Sequence, residues 1–115
     1  MGDENLLLSE DGLRSLSFSD PLYGTDDNYW RGAVWLPINY MVLRACKLYY
    51  WNDSTLGSEV RTLYEVLRER LIDSVEGTYK ETGYLYENYY KGRGHRGFPF
   101  YGWTSTIVNI ITEQY

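Results

Sequence analysis

The clearest hydrophobic periodicity lies between residues 54 and 79. Val60, Leu63, Tyr64, Leu67, Leu71 and Val75 recur at spacings of three and four, while Arg61, Glu65, Arg68, Glu69 and Asp73 fall mostly on the opposite face. That pattern predicts an amphipathic helix starting at Ser54 or Ser58 and ending near Tyr79. A serine N-cap and the early Glu59 suit the positive end of the helix dipole. A second helix is predicted over Leu36–Tyr50. Pro37 fits its first turn, and Ile38, Met41, Val42, Ala45, Leu48 and Tyr49 form its apolar stripe. A third helix is predicted from a Thr104 or Ser105 cap to Tyr115, with Ile107, Val108, Ile110 and Ile111 on its apolar face. Residues 1–29 mix turn chemistry (Ser19-Asp20-Pro21, Gly24, Asp26-Asp27-Asn28) with apolar anchors at Leu13, Leu16, Phe18, Leu22 and Tyr23. They read as an ordered loop. Tyr84–Tyr90 is aromatic and extended in character, and Lys91–Gly97 is a glycine-rich loop.

Composition narrows the function. The chain has 115 residues, 43% of them hydrophobic, which is enough for one modest domain or a piece of a larger one. A net charge of -5 argues against nucleic acid as a partner. A lone cysteine, Cys46, excludes an internal disulfide framework, and a lone histidine, His95, excludes a multi-histidine metal site. Neither a metal nor an organic cofactor is expected. Aromatic residues reach 17%, including 13 Tyr and 4 Trp. Such rings either fill a core and its rim or line a groove for a flat, polar ring such as a sugar.

The individual motifs differ in weight. Gly92, Gly94 and Gly97 spell G-x-G-x-x-G, but an aromatic stretch with Pro99 follows where a dinucleotide-binding helix should begin. A turned loop is the better reading. Asn52-Asp53-Ser54 is an N-glycosylation sequon between two helices. Glu87 stands within Tyr84-Leu85-Tyr86-Glu87-Asn88-Tyr89-Tyr90. It is either a solvated loop acid or a carboxylate in an aromatic cleft, the arrangement glycoside chemistry uses. Asp20, Asp26, Asp27 and Arg31 could join it, although turn roles account equally for the aspartates.

Three ordered segments carry a resemblance. Asp27-Asn28-Tyr29-Trp30-Arg31-Gly32-Ala33-Val34-Trp35, followed by Asn39-Tyr40, resembles a signature of glycoside hydrolase family 63. Gly83-Tyr84-Leu85-Tyr86-Glu87-Asn88-Tyr89 and Phe100-Tyr101-Gly102-Trp103-Thr104-Ser105 resemble that family's C-terminal end, and Gly12-Leu13-Arg14-Ser15-Leu16-Ser17 the segment before. The likeness covers residues 12–115. Arg96-Gly97-Phe98-Pro99-Phe100 departs from the Cys-Arg-Pro-Phe element common there, and Pro37 stands where a polar residue is usual.

The resemblance implies an all-α fold made of the C-terminal helices of an (α/α)6 toroid, an incomplete domain. Residues 1–29 would lead into it and residues 30–115 would form the C-terminal part of the catalytic domain. It implies an inverting α-glucosidase of the endoplasmic reticulum that removes the terminal α-1,2-linked glucose from the N-linked oligosaccharide precursor Glc3Man9GlcNAc2. Glu87 matches the general base. Trp30, Arg31 and Trp103 match substrate-binding positions. The general acid is an upstream aspartate not found here, so an N-terminal part of the same enzyme is the expected partner that completes the fold. Two alternatives stand: a non-catalytic truncated relative that keeps carbohydrate or partner binding, and an (α/α)6 α-glucosidase of other specificity.

Overall fold

A computed structural model describes all residues, 1–115. The chain runs through β1 (Leu8–Ser9), β2 (Gly12–Leu13), α1 (Leu36–Ala45), α2 (Gly57–Thr82), β3 (Asn88–Tyr90), β4 (Arg93–Arg96) and α3 (Ile107–Ile111). A π-helical turn, Cys46–Tyr50, extends α1, and a 3-10 turn, Trp103–Thr106, leads into α3.

The all-α expectation is therefore wrong. Two antiparallel hairpins, β1–β2 and β3–β4, share the molecule with the helices. The first lies inside residues 1–29, expected to be loop. The second covers the glycine-rich segment. Val34 joins the two hairpins through isolated bridges to Arg14 and Tyr89. Its N–H donates to the Tyr89 carbonyl (2.8 Å), and its carbonyl accepts the Tyr89 N–H (3.0 Å). The physical reason lies partly in the glycines. A Cβ at Gly94 would sit 2.3 Å from Cγ of Tyr86, so only a bare backbone lets that ring lie on β4.

The central helix is α2. Asp53 Oδ1 accepts the N–H groups of Thr55 (2.8 Å) and Leu56 (2.7 Å) just before it starts, which holds the Asp53 carboxyl below its usual range. Gly83 ends it in the left-handed conformation (φ 78°), its N–H donating to the Tyr79 carbonyl at 2.8 Å. Tyr64, Leu67, Leu71, Ser74, Val75 and Thr78 form its buried stripe. They pack with Leu8, Leu13, Val34, Leu36, Leu43, Tyr89, Ile107 and Ile110 into one core. Arg68 donates to the carbonyls of Ile110 (3.0 Å) and Ile111 (2.8 Å), placing a cation at the C-terminal end of α3.

α1 is where expected but turned over. Its buried residues are Leu36, Asn39 and Leu43, continued by Cys46 in the π turn. Ile38, Met41, Leu48 and Tyr49, from the predicted stripe, are exposed. Both faces of this helix carry apolar residues, so period alone could not choose between them. α3 is short, ending at Ile111 rather than Tyr115, and buries Ile107 and Ile110 while Val108 and Ile111 face outward. No helix is long and apolar enough to cross a membrane.

Candidate active site

Two distant segments meet at Glu87. The turn Asp26–Asn28 carries positive φ at Asp26 (52°) and Asn28 (54°), which throws Tyr29 back toward the second hairpin. Asp27 Oδ1 accepts the Tyr29 N–H (3.3 Å), and Trp35 Nε1 donates to the Tyr29 carbonyl (3.1 Å). So placed, the Tyr29 hydroxyl donates to Glu87 Oε1 across 58 residues of sequence. This bond to the carboxylate, with burial added, raises the Tyr29 hydroxyl above its ordinary pKa.

Glu87 is itself held at the backbone. Its N–H donates to the carbonyls of Arg96 (2.8 Å) and Gly97 (3.0 Å), and its carbonyl accepts the Trp103 indole N–H (3.1 Å). Gly97 adopts φ 56°, and a Cβ there would lie 2.7 Å from Glu87 Oε2 and 2.9 Å from its Cβ. The carboxylate is thus flanked by a phenol on one oxygen and bare backbone beside the other. Glu87 is half-buried.

An aromatic wall surrounds this pair. Buried Trp35 is its centre: Trp30 stacks on it (4.0 Å, 10°), Tyr29 meets it edge-on (4.7 Å), and Trp103 lies tilted at 5.9 Å. Phe100 packs on Trp103 at 4.6 Å. Trp30 is 51% exposed, so one ring face stays open beyond the stack. A groove of about 240 Å³ runs beside it, lined by Leu13, Arg14, Ser15, Trp30, Trp35 and Ile38. An open indole face is chemically suited to stack on the C–H face of a sugar ring and a fixed carboxylate to accept its hydroxyls; here the two are linked through Trp35, on which Trp30 stacks and which Tyr29 meets edge-on.

The residues expected at the site fare differently. Trp103 touches Glu87 directly, and Trp30 joins through Trp35. The Arg31 guanidinium turns the other way, donating to Thr25 Oγ1 (2.8 Å) and pairing with Asp26. The nearby cation is Arg96, which donates to the Asp27 carbonyl and lies over the Tyr29 ring (5.7 Å). Asp20 and Asp27 accept backbone N–H bonds of their own turns, and Asp26 holds Arg31. Asn52 is exposed beside the Asp53 turn.

Reasoning from sequence also passed over Tyr29, Trp35, Arg96 and Gly97. Tyr29 and Trp35 stood inside the quoted motif, which was the available signal. Asn28 and Asn88, neighbours in sequence of Tyr29 and Glu87, are buried with amide heads that meet no partner in the chain. His95 stacks loosely on Tyr90 (5.4 Å), and burial, with Arg96 second, pushes its pKa down. Burial pushes the Cys46 thiol up. No cluster of three His, Cys, Asp or Glu side chains is positioned to hold a metal ion.

Comparison with known proteins shows the family. The family model of the glycosyl hydrolase family 63 C-terminal domain matches residues 1–113. A probable mannosyl-oligosaccharide glucosidase of Schizosaccharomyces pombe is 40% identical over 116 residues, 98% of this chain and 14% of the relative. The mannosyl-oligosaccharide glucosidase of Saccharomyces cerevisiae is 38% identical over 117 residues, 96% of this chain and 14% of the relative. Alpha-glucosidase 2 of Arabidopsis thaliana is 38% identical over 118 residues, 96% of this chain and 15% of its own length. The chain therefore spans about one seventh of these relatives. With nearly every residue inside the match, and the Tyr29–Glu87 pair and its tryptophan wall within it, the chain belongs to glycosyl hydrolase family 63.

Proposed function

We propose that these residues supply the general base and part of the sugar-binding wall of an inverting α-glucosidase. The observation that carries the reading is Glu87, fixed by Tyr29, whose ring packs on the same Trp35 that the half-open Trp30 stacks on. In such a reaction the Glu87 carboxylate takes a proton from water as the water oxygen attacks the anomeric carbon. The glycosidic bond breaks on the opposite face, and a general acid protonates the departing oxygen. An inverting pair of carboxyl groups stands about 6.5–9.5 Å apart, which leaves room for the water. In a protein of the relatives' length the acid comes from outside these residues, as does much of the pocket.

The names of two relatives, which pair a mannosyl-oligosaccharide with a glucosidase, support an oligosaccharide substrate; the terminal α-1,2-linked glucose of Glc3Man9GlcNAc2 and an endoplasmic-reticulum setting are the finer form of the proposal, drawn from the resemblance of the motifs. The exposed Asn52-Asp53-Ser54 sequon is compatible with that lumen. Trp30 and Trp103 are the proposed sugar contacts. Arg31 joins them only by releasing Asp26.

A second reading, sugar binding without turnover, is favoured by one observation: no second carboxylate is paired with the Glu87 carboxyl, and Asp27, the other acid bonded to Tyr29, accepts only its backbone N–H. One experiment separates the two. Residues 1–115 replace the matching segment of the fission yeast relative, and the graft is assayed with and without Glu87→Gln. The expected result is turnover in the graft and a loss of about 10²–10⁴-fold in kcat in the variant, with substrate affinity retained. Turnover that survives Glu87→Gln removes Glu87 as base.

A further inference from the structure

The glycine-rich loop has no role in the reading above beyond turning the chain. Its three glycines do different things. Gly94 makes room for the Tyr86 ring, as described. Gly92 has φ 78°, and a Cβ there would meet nothing nearer than the Glu10 carboxyl at 3.8 Å. Gly97 alone abuts Glu87.

We propose that Gly97 and Tyr29 are positioning residues that hold the Glu87 carboxylate in one orientation and assign its two oxygens different tasks. The proposal rests on Glu87 being the base. Tyr29 occupies Oε1, leaving Oε2 to receive the proton of the attacking water. Gly97 is the seat. Its backbone carbonyl accepts the Glu87 N–H at 3.0 Å, and the missing side chain is what lets Oε2 lie against the loop. Any Cβ at 2.7 Å from Oε2 must push the carboxylate aside, because the Glu87 backbone is tied to Arg96, Gly97 and Trp103 and cannot retreat. A base displaced by roughly 1 Å loses about 10²-fold in rate even when substrate still binds. The seat also explains why this loop has glycine in a left-handed conformation at an exposed position, where asparagine would otherwise serve.

The test uses the graft, with Gly97→Ala, Tyr29→Phe, Gly92→Ala and Glu87→Gln. Gly97 and Gly92 are both exposed and both left-handed, so the alanine variants carry comparable backbone strain. The expected result for Gly97→Ala is a fall in kcat of about 10²-fold with KM nearly unchanged, and for Gly92→Ala wild-type kcat. Tyr29→Phe removes the hydrogen bond that fixes Oε1, so kcat falls while KM is nearly unchanged. Equal kcat in the two alanine variants, or wild-type kcat in Tyr29→Phe, overturns the proposal. If Glu87→Gln keeps turnover, the base reading fails. If Glu87→Gln is dead while Gly97→Ala matches wild type, only the seat fails. A second measurement needs no turnover. In the 115-residue chain, ¹³Cζ-tyrosine titration should show Tyr29 ionising above the ordinary tyrosine range, Gly97→Ala lowering it and Gly92→Ala leaving it. Identical Tyr29 titrations in the two variants overturn the proposal.

Discussion

Asn39 offers the sharpest test of how the helices and hairpins are joined. Its side chain is fully buried on α1, and its amide serves the backbone of β2. Oδ1 accepts the Leu13 N–H at 2.8 Å, while Nδ2 donates to the carbonyls of Leu13 (3.2 Å) and Trp35 (2.9 Å). Asn39→Leu keeps the volume and removes every one of these bonds. The Trp35 carbonyl still accepts the residue-39 N–H, but the Leu13 N–H and C=O lose their Asn39 partner. Two buried backbone groups left unpaired cost about 1–3 kcal/mol each, so the expected loss is about 2–6 kcal/mol. Against a total of about 5–15 kcal/mol for a domain, this is severe. Urea unfolding of the 115-residue chain should show a lower midpoint with an unchanged slope. Asn39→Asp separates the two halves of the contact. It keeps an acceptor for Leu13 N–H but turns a carboxylate toward two carbonyl oxygens. Folding then favours its neutral form, so stability is kept at low pH and lost as pH rises through the folded-state pKa. A midpoint for Asn39→Leu that equals wild type would refute the reasoning, because it would mean the buried strand has no need of the amide.

Two further expectations concern the core. Leu43→Ala should destabilise the chain by about 2–5 kcal/mol, and Met41→Ala on the outer face by less than about 0.5 kcal/mol. The reverse order in urea midpoints would mean α1 is rotated from its described position. Stability should also fall in alkali. Burial pushes Tyr89 up to about 12 and raises Tyr64 as well, with hydrogen bonds to Glu113 and Tyr115 adding to the Tyr64 shift. The unfolded chain therefore loses these protons first, above about pH 10, and folding stability is present below that pH and declines toward pH 12. A flat urea midpoint from pH 9.5 to 12 would contradict this.

Much was legible along the chain. The three-and-four repeat of α2 marked Tyr64, Leu67, Leu71 and Val75 as buried because its other face is charged, but it passed over the polar Ser74 and Thr78 that complete the stripe. Pro37 marked a helix start through its fixed backbone angle, whereas the end of α2 was placed near Tyr79, short of Thr82 and the Gly83 cap. The motif around Tyr29–Trp35 and the acid at Glu87 were visible as local strings. These features depend on near neighbours, and sequence records near neighbours directly.

What the tertiary structure decided was every choice between locally equal options. α1 is apolar on both sides, and only packing on α2 selects Leu36 and Leu43 over Ile38 and Met41. The hairpins escaped notice because their strands are two to four residues long, too short for an alternating pattern. They exist because Val34 bonds to residues on either side of it in space. Arg31 had a cleft role by analogy, yet a carboxylate five residues away captures it. The Tyr29–Glu87 contact closes a loop of 58 residues. No periodicity reports such a contact, since its geometry is set by two left-handed turn residues, a bare glycine backbone and a tryptophan stack that meet only once the chain has folded.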